Sequence, residues 1–322
     1  MRVLVTGASG LLGGAVARSL AQRGDDVVLM QRRPSGLDLP ERLGDLLDRD
    51  AVRSAVQGMD GVVHLAAKVN VVGAWADYVA ANVDGTRALL GAARAAGVGR
   101  FVQVSSPSVA YSGRSLVAAP AGPADPASAR GSYSRSKAMG EQLALAAHGP
   151  DLAVVAVRPH LVWGPGDTQL VARIVERGRS GRLALVGRGT ALIDTTYVDN
   201  AADAIVAALD AADTAGGAAY VVSNGEPRPV AEILSSICAA AGVPGPHLAV
   251  PFPVAWGVGA AVDTVWSWRG REEDPPITRF LAEQLATAHW FDQRRTRQAL
   301  RWSPRVTLDE GFARLAAAYR VR

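Results

Sequence analysis

The chain has 322 residues, 49% of them apolar and 20% charged, enough for one large or two modest globular domains with a buried core. Its single cysteine, Cys238, excludes an internal disulfide framework and fits a reducing cytoplasm. The five histidines show no paired ligand spacing, so no metal site is expected. The formal charge of +4 does not point to nucleic acid, because the arginines are scattered and cluster only briefly, as in FDQRRTRQALR at 291–301.

In chain order, MRVLVTGASG begins as an apolar strand running into a glycine turn, without the hydrophobic stretch and cleavage site of a secretory signal. A helix from about Leu11 to Arg23, the strand DVVLM, a helix around 48–57 and the strand GVVHLA follow. Then come a long helix over 76–96, the strand RFVQVSS, a helix carrying Tyr133 and the strand LAVVAVR. This alternation predicts an α/β, Rossmann-type doubly wound parallel sheet. The segment VAAPAGPADPASARG at 117–131 reads as a loop, either bordering a site or merely connecting.

After Pro159 the rhythm breaks at WGPGD (163–167) and SNGEPRPV (223–230), where ligand-specific structure is expected. Residues 1–162 are therefore read as a nucleotide-binding domain to which 191–223 returns, and 163–190 with 224–322 as a smaller, mostly C-terminal substrate-binding cap. Cys238, in the helical pattern AEILSSICAAAG, reads as a small buried filler. The run LAVPFPVAWGVGAAVDTVWSW at 248–268 is interrupted by Pro251, Pro253 and Asp263 and is too short without charge to span a membrane. It reads as a cap over an apolar pocket, or as a shallow membrane contact.

The turn VTGASGLLGGAV places Gly7, Gly10 and Gly13 between the first strand and an apolar helix. In that context the three glycines predict a dinucleotide site: Gly7 for the tight turn, Gly10 for the approach of a pyrophosphate to backbone amides, Gly13 for close helix packing. The second strand ends in Gln31, Arg32 and Arg33, while Asp25 and Asp26 precede it and sit at its other end. Two guanidiniums without a competing carboxylate fit the 2′-phosphate of NADP(H), the alternative being a solvated basic turn.

The chain has only two lysines, Lys68 and Lys137, and Lys137 stands four residues after Tyr133 in GSYSRSKAMGEQ. Four residues apart on a helix is one face. A phenol titrates near 10, and a neighbouring ammonium favours the phenolate, so the pair predicts acid–base chemistry near neutral pH.

Taken together these strings resemble the extended short-chain dehydrogenase/reductases of the NAD(P)-dependent epimerase/dehydratase superfamily. The family's TGxxGxxG turn is matched by TGASGLLG, its acidic adenine contact by Asp45 in LGDLLD, its NAA-like stretch by HLAA at 64–67, and its YxxxK pair by Tyr133 and Lys137. VSSPSVAY, RPHLVWGPGD, DTTYVDNAADA and TRFLAEQLATAHWFD are most similar to the 3β-hydroxysteroid dehydrogenase branch, and within it to bacterial 2-alkyl-3-ketoalkanoate reductases of olefin synthesis. The basic run FDQRRTRQALRW departs from the Gly-Tyr ending expected there.

The resemblance implies Ser106, Tyr133 and Lys137 as catalytic, with Ser106 chosen by alignment from the three hydroxyls of VSSPS, Ser105, Ser106 and Ser108. It implies cofactor contacts from Gly7, Ser9, Gly10, Leu11 and Gly13, from Arg32 and Arg33, from Asp45 and Leu46, and from Ala66, Ala67 and Lys68. Tyr133, Lys137, Pro159 and Leu161 complete that set, with Lys137 on the nicotinamide ribose and Pro159 to Leu161 beside the nicotinamide. His160 is expected to pack or hydrogen-bond, His64 to be a satisfied core histidine, and Asp199 to fix the local backbone.

The implied activity is an NADP(H)-dependent oxidoreductase interconverting a ketone and a secondary alcohol on a hydrophobic molecule, foremost a 2-alkyl-3-ketoalkanoic acid. A 3β-hydroxysteroid dehydrogenase and a nucleotide-sugar epimerase or dehydratase are the competing enzymes, the last using Arg173, Arg177, Arg182 or Arg188 for a substrate diphosphate. A cofactor-sensing protein without activity would be marked by a damaged Ser, Tyr or Lys, and all three are intact. The expected partner is a hydrophobic small molecule and not nucleic acid, in a cytoplasmic protein, with peripheral membrane contact and a homodimer left open.

Overall fold

The computed structural model describes residues 1–69, 73–111, 113–269 and 278–321, the side chains of 267–269 excepted. The first half builds strand by strand: β1 (Arg2–Thr6), α1 (Leu11–Gln22), β2 (Asp26–Gln31), β3 (Glu41–Leu43), α2 (Arg49–Val56) and β4 (Gly61–His64). The long helix expected over 76–96 is α3 (Trp75–Val79), a π-helical turn at Ala80–Asp84 and α4 (Gly85–Ala95). The widened turn carries Asn82, whose side chain bonds the backbone of Lys68 instead of solvating an outer face.

Then come β5 (Arg100–Val104), a 3₁₀ turn (Pro107–Ala110), β6 (Leu116–Ala119), α5 (Gly131–Ala146) and β7 (Ala153–Pro159). The loop expected at 117–131 thus begins inside a strand, because Leu116–Ala119 pairs with a segment from the far end of the chain. The second half adds β8 (Val162–Trp163), α6 (Leu170–Arg179), β9 (Ala184–Val186), β10 (Leu192–Ile193), β11 (Thr196–Tyr197), α7 (Val198–Asp210), α8 (Ala212–Ala215) and β12 (Ala219–Val222). It closes with β13 (Arg228–Pro229), α9 (Val230–Ala240), β14 (Leu248–Val250), α10 (Phe252–Arg269), α11 (Arg279–Ala286), β15 (His289–Phe291), α12 (Arg294–Leu300) and α13 (Leu308–Arg320).

Seven strands form one parallel sheet in the order β12-β7-β5-β4-β1-β2-β3. Strand order reverses direction between β1 and β4, so the crevice beyond the carboxyl ends of those strands is the topological switch point where ligands bind. Its apolar side chains feed two cores, one including α1, α7, α9 and α13, the other including α2, α4 and the end of α5. Buried on both faces, the strands read as continuous apolar runs, as in VVAV of β7. A second sheet, β13-β10-β15-β6, is assembled from four short, distant segments.

Cys238 is buried and free. α10 is mostly apolar and packs on α11 near Gly259, where an added Cβ would come within 2.6 Å of the Arg279 nitrogen. Phe252, Val254, Trp256, Val258 and Val265 remain exposed, and Trp256 donates its indole N–H to Glu283 at 3.2 Å. Among the described residues no helix is long and apolar enough to cross a membrane. The Trp268 side chain lies outside the described residues.

Candidate active site and nucleotide site

Because the sheet is parallel, every turn that follows a strand's carboxyl end opens on the same edge. Gly7, at φ +78°, follows β1 directly, and a Cβ there would sit 2.7 Å from the Ala66 nitrogen. A Cβ on Gly13 would meet the Gly7 carbonyl oxygen at 2.2 Å. Gly10 differs: its added Cβ would reach only Gly7 O at an ordinary 3.5 Å, so the fold itself does not demand glycine there. The space it leaves lies at the start of α1, whose N-cap has no side-chain bond and whose first turn holds no acid, starting at half-buried Leu11. Amides left open at a helix start, with no Cβ above them, fit the pyrophosphate of a dinucleotide.

At the end of β2, Gln31 is buried and both ends of its amide are engaged: Oε1 accepts from the Ser9 N–H at 2.9 Å and Nε2 donates to Glu41 at 3.0 Å. Glu41 also accepts from the Ser35 N–H at 2.9 Å. A carboxylate therefore does lie at this strand end, contrary to the expectation from sequence, because β3 pairs in register beside β2 and delivers it. The bonds to Glu41 all fall on its Oε1, which braces the turn that displays Arg32 and Arg33, both exposed. Asp45 is exposed and closes a local turn onto the Leu47 N–H at 3.0 Å, and Leu46 packs beside Gly85.

At the end of β4 the Ala66 N–H is held by Thr6 Oγ1 at 3.2 Å, and Ala67 and Lys68 are half-buried. His64 is a satisfied core histidine between Thr6 at 2.7 Å and Thr86 at 3.1 Å. Burial, then the Lys137 charge, pushes its imidazole down to about 3. Lys68 donates its N–H to Asn82 Oδ1 at 2.7 Å and its ammonium to Asp77 at 3.2 Å. Asn82 in turn donates to Ser136 Oγ at 2.9 Å, beside Lys137, so the π turn ties the chain's two lysine segments together. Gly140 permits this, since a Cβ there would lie 2.4 Å from the Asn82 carbonyl oxygen.

Tyr133 and Lys137 do share a face of α5. Lys137 is buried and donates to the Val104 carbonyl oxygen at 2.6 Å, which leaves its other N–H groups for a ligand. Burial pushes its ammonium down to about 8, against a smaller upward pull from Glu141. Ser106 caps the 3₁₀ turn, accepting from the Ser108 N–H at 3.3 Å, and its hydroxyl reaches Tyr133. Burial raises the phenol above its ordinary value and the Ser106 contact lowers it by less.

Beyond β7, Leu161 adopts φ +42°, a left-handed conformation for a branched side chain, and is held by Thr196, whose N–H bonds its carbonyl at 3.3 Å. His160 faces the fully buried Asp194, which accepts from His160 Nδ1 at 2.6 Å, Ser223 Oγ at 2.8 Å and the Phe291 N–H at 2.9 Å. His289 packs edge-on at 5.1 Å from His160, and burial pushes it down to about 4. Asp199 pairs with Arg314 at 3.1 Å on the surface; the backbone-fixing role expected for it belongs to Asn200, whose Oδ1 accepts from Arg305 and Val306. Asn82, Glu41, Asp194 and Asn200 were not marked by sequence. An asparagine inside an apolar helical pattern is the available signal for Asn82 and Asn200; Glu41 and Asp194 need knowledge of which distant strands meet.

An apolar cavity of about 190 Å³ adjoins the turn capped by Ser106. Among the described residues no group of three or more His, Cys, Asp or Glu could hold a metal ion.

Residues 3–223 match the family described as the NAD dependent epimerase/dehydratase family. The chain is 41% identical over 99% of its length to a 2-alkyl-3-oxoalkanoate reductase of Stenotrophomonas maltophilia, 99% of which is covered. It is 37% identical over 98% of its length to a protein of the same name from Shewanella oneidensis, of which 85% is covered. Among solved structures, MoeE5 in complex with UDP-glucose and NAD is similar at 26% identity and a TM-score of 0.76, with 100% of this chain and 99% of that one covered.

Proposed function

The chain belongs to the NAD-dependent epimerase/dehydratase family, and we propose that it is an NADP(H)-dependent reductase of 2-alkyl-3-oxoalkanoates. The observation that carries this reading is the Ser106 hydroxyl reaching the Tyr133 phenol, beside an apolar cavity. A phenol is protonated at neutral pH, the state needed to give a proton to a ketone oxygen, and the Ser106 contact draws it down toward the working range.

When bound between these residues, NADP(H) would supply the hydride that a ketone carbon accepts. Tyr133 donates its proton to the carbonyl oxygen while Ser106 holds that oxygen by a hydrogen bond. Lys137, fixed by one donor on Val104, turns its remaining donors to the ribose hydroxyls. The glycine turn takes the pyrophosphate, and Arg32 with Arg33 takes the 2′-phosphate, on a turn braced by Glu41. Charge-assisted Arg–phosphate bonds of about 1.5–3 kcal/mol give a roughly 10- to 100-fold preference for NADP(H).

A sugar-nucleotide reading is favoured by the likeness to a protein solved with UDP-glucose. The apolar lining next to Ser106 weighs against it, since a diphosphate wants cations there. Following nicotinamide absorbance with 2-alkyl-3-hydroxyalkanoates, sterols and sugar nucleotides separates the readings. Oxidation of the first class with NADP⁺ is the expected result; turnover of sterols or sugar nucleotides alone overturns it.

A further inference from the structure

The cavity beside Ser106 is shaped by a fault in a strand. β6 pairs with β15 through Leu116 with His289 and Ala119 with Phe291, so the step from 116 to 119 on one strand opposes the step from 289 to 291 on the other. The surplus residue creates a β-bulge containing Ala118, which sits at φ +46°, a left-handed conformation that strains any residue with a Cβ. In a regular strand Leu116 and Ala118 would share one face and Ala119 would point away. The bulge instead brings Leu116 and Ala119 to the same cavity, which Val221 and Phe291 also line. Pro107 and Ala110, from the turn capped by Ser106, form its side toward the reacting groups.

The cavity offers no free charge. Arg158 borders it, but Nε and Nη2 are taken by Glu141 and Nη1 by the Gly122 carbonyl oxygen at 2.7 Å. An apolar ligand group suits such walls and an anionic one does not.

We propose that this cavity receives one alkyl arm of a two-armed substrate, and that the bulge at Ala118 opens it. The inference rests on the reductase reading above. A 2-alkyl-3-oxoalkanoate carries saturated arms on adjacent carbons, so with its carbonyl at Ser106 and Tyr133 the arms diverge at once and need separate apolar channels. At about 30 Å³ for a group the size of a water or methylene, the cavity takes roughly six carbons of one arm.

The test is the oxidation of 2-alkyl-3-hydroxyalkanoates with NADP⁺, lengthening the two arms one at a time. Ala119→Phe fills the cavity and Leu116→Ala enlarges it. Ala119→Phe is expected to lower the ratio of kcat/KM for long over short substrates roughly 50- to 250-fold on one arm only, about fourfold for each methylene displaced. Leu116→Ala should raise the ratio on that same arm. Unchanged ratios on both arms, or equal falls on both, overturn the proposal, and should Ala119→Phe fail to fold, Leu116→Ala alone decides. A wild type that oxidises no such acid while turning over a sterol or sugar nucleotide overturns the reductase reading, and this inference falls with it.

Discussion

In the seven-stranded sheet, each strand that ends at the site passes straight into the residues that matter there: β1 into the glycine turn, β5 into Ser106, β7 into Pro159 and Leu161. The four-stranded sheet is made of pieces from 116–119, 192–193, 228–229 and 289–291, and none exceeds four residues. Strands so short and so far apart in sequence gain little from local pairing. Buried polar bonding ties this sheet to the first: Asp194, just after β10, joins the segment after β7, the end of β12 and β15 through His160, Ser223 and the Phe291 N–H. The first region therefore stands on apolar burial and carries its chemistry in local turns. The second stands on a few polar hubs, and its strain and its cavity come from the way distant segments meet.

The comparison is broken most sharply at Tyr133. Tyr133→Phe should lower kcat by roughly 10² to 10⁴ while cofactor affinity and melting temperature stay near wild type, since only the proton donor is lost. Near-normal turnover would mean that the pair on α5 is not the machinery. At Asp194 the balance should invert. Asp194→Ala strands a buried imidazole, a hydroxyl and an N–H, so urea unfolding should show a loss of about 3–5 kcal/mol. A loss below about 1 kcal/mol would show that the second sheet stands without its hub.

Acid should separate the same two regions by smaller steps. His289 and His64 are held down to about 4 and about 3 in the folded protein, against 6.5 ordinarily. Both contribute stability in full above 6.5, where folded and unfolded forms are equally deprotonated. As pH falls below 6.5 the unfolded chain binds protons that the folded one refuses, so stability should drop by a few kcal/mol until about 4 and then about 3. His289→Gln should flatten the upper part of that fall in denaturation curves taken from pH 7 to 4. An unchanged profile would mean that the His289 imidazole titrates freely.

The smallest effect is expected at the exposed end of β2. Replacing both Arg32 and Arg33 by Ala should reduce the NADP(H)-over-NAD(H) preference roughly 10- to 100-fold in titrations at low salt. Wild type binding both cofactors equally would mean that the two guanidiniums serve solvent. Gln31 is the wrong place to engineer this switch, because its amide braces Ser9 and Glu41 from within the fold.

What was legible in the sequence follows the same division. The glycine turn and Tyr133 with Lys137 lie at a strand end or on one helix face, so period and spacing reach them, whereas Ser106 was picked from three hydroxyls only by the family resemblance. The long helix over 76–96 was legible as helix, but not its π turn at Ala80–Asp84, since the short, small-residue stretch AANVD carries too few large apolar side chains to show a shift of phase. Strand β6 was hidden in a stretch rich in Ala and Pro, and Glu41 could not be placed beside Gln31 without the β2–β3 register.

The sequence by itself determined the alternation of strand and helix, the glycine turn after β1 and the placing of Tyr133 and Lys137 on one helix, because each is set by short-range backbone geometry. Only the tertiary structure decided that the buried Lys137 ammonium is anchored on the Val104 carbonyl oxygen at the end of β5. Only it decided that Asp194 is fully buried between three donors, and that a bulge at Ala118 turns Leu116 and Ala119 into one apolar cavity. Desolvation, strand register and cavity shape depend on which distant segments pack together, and no local pattern encodes that.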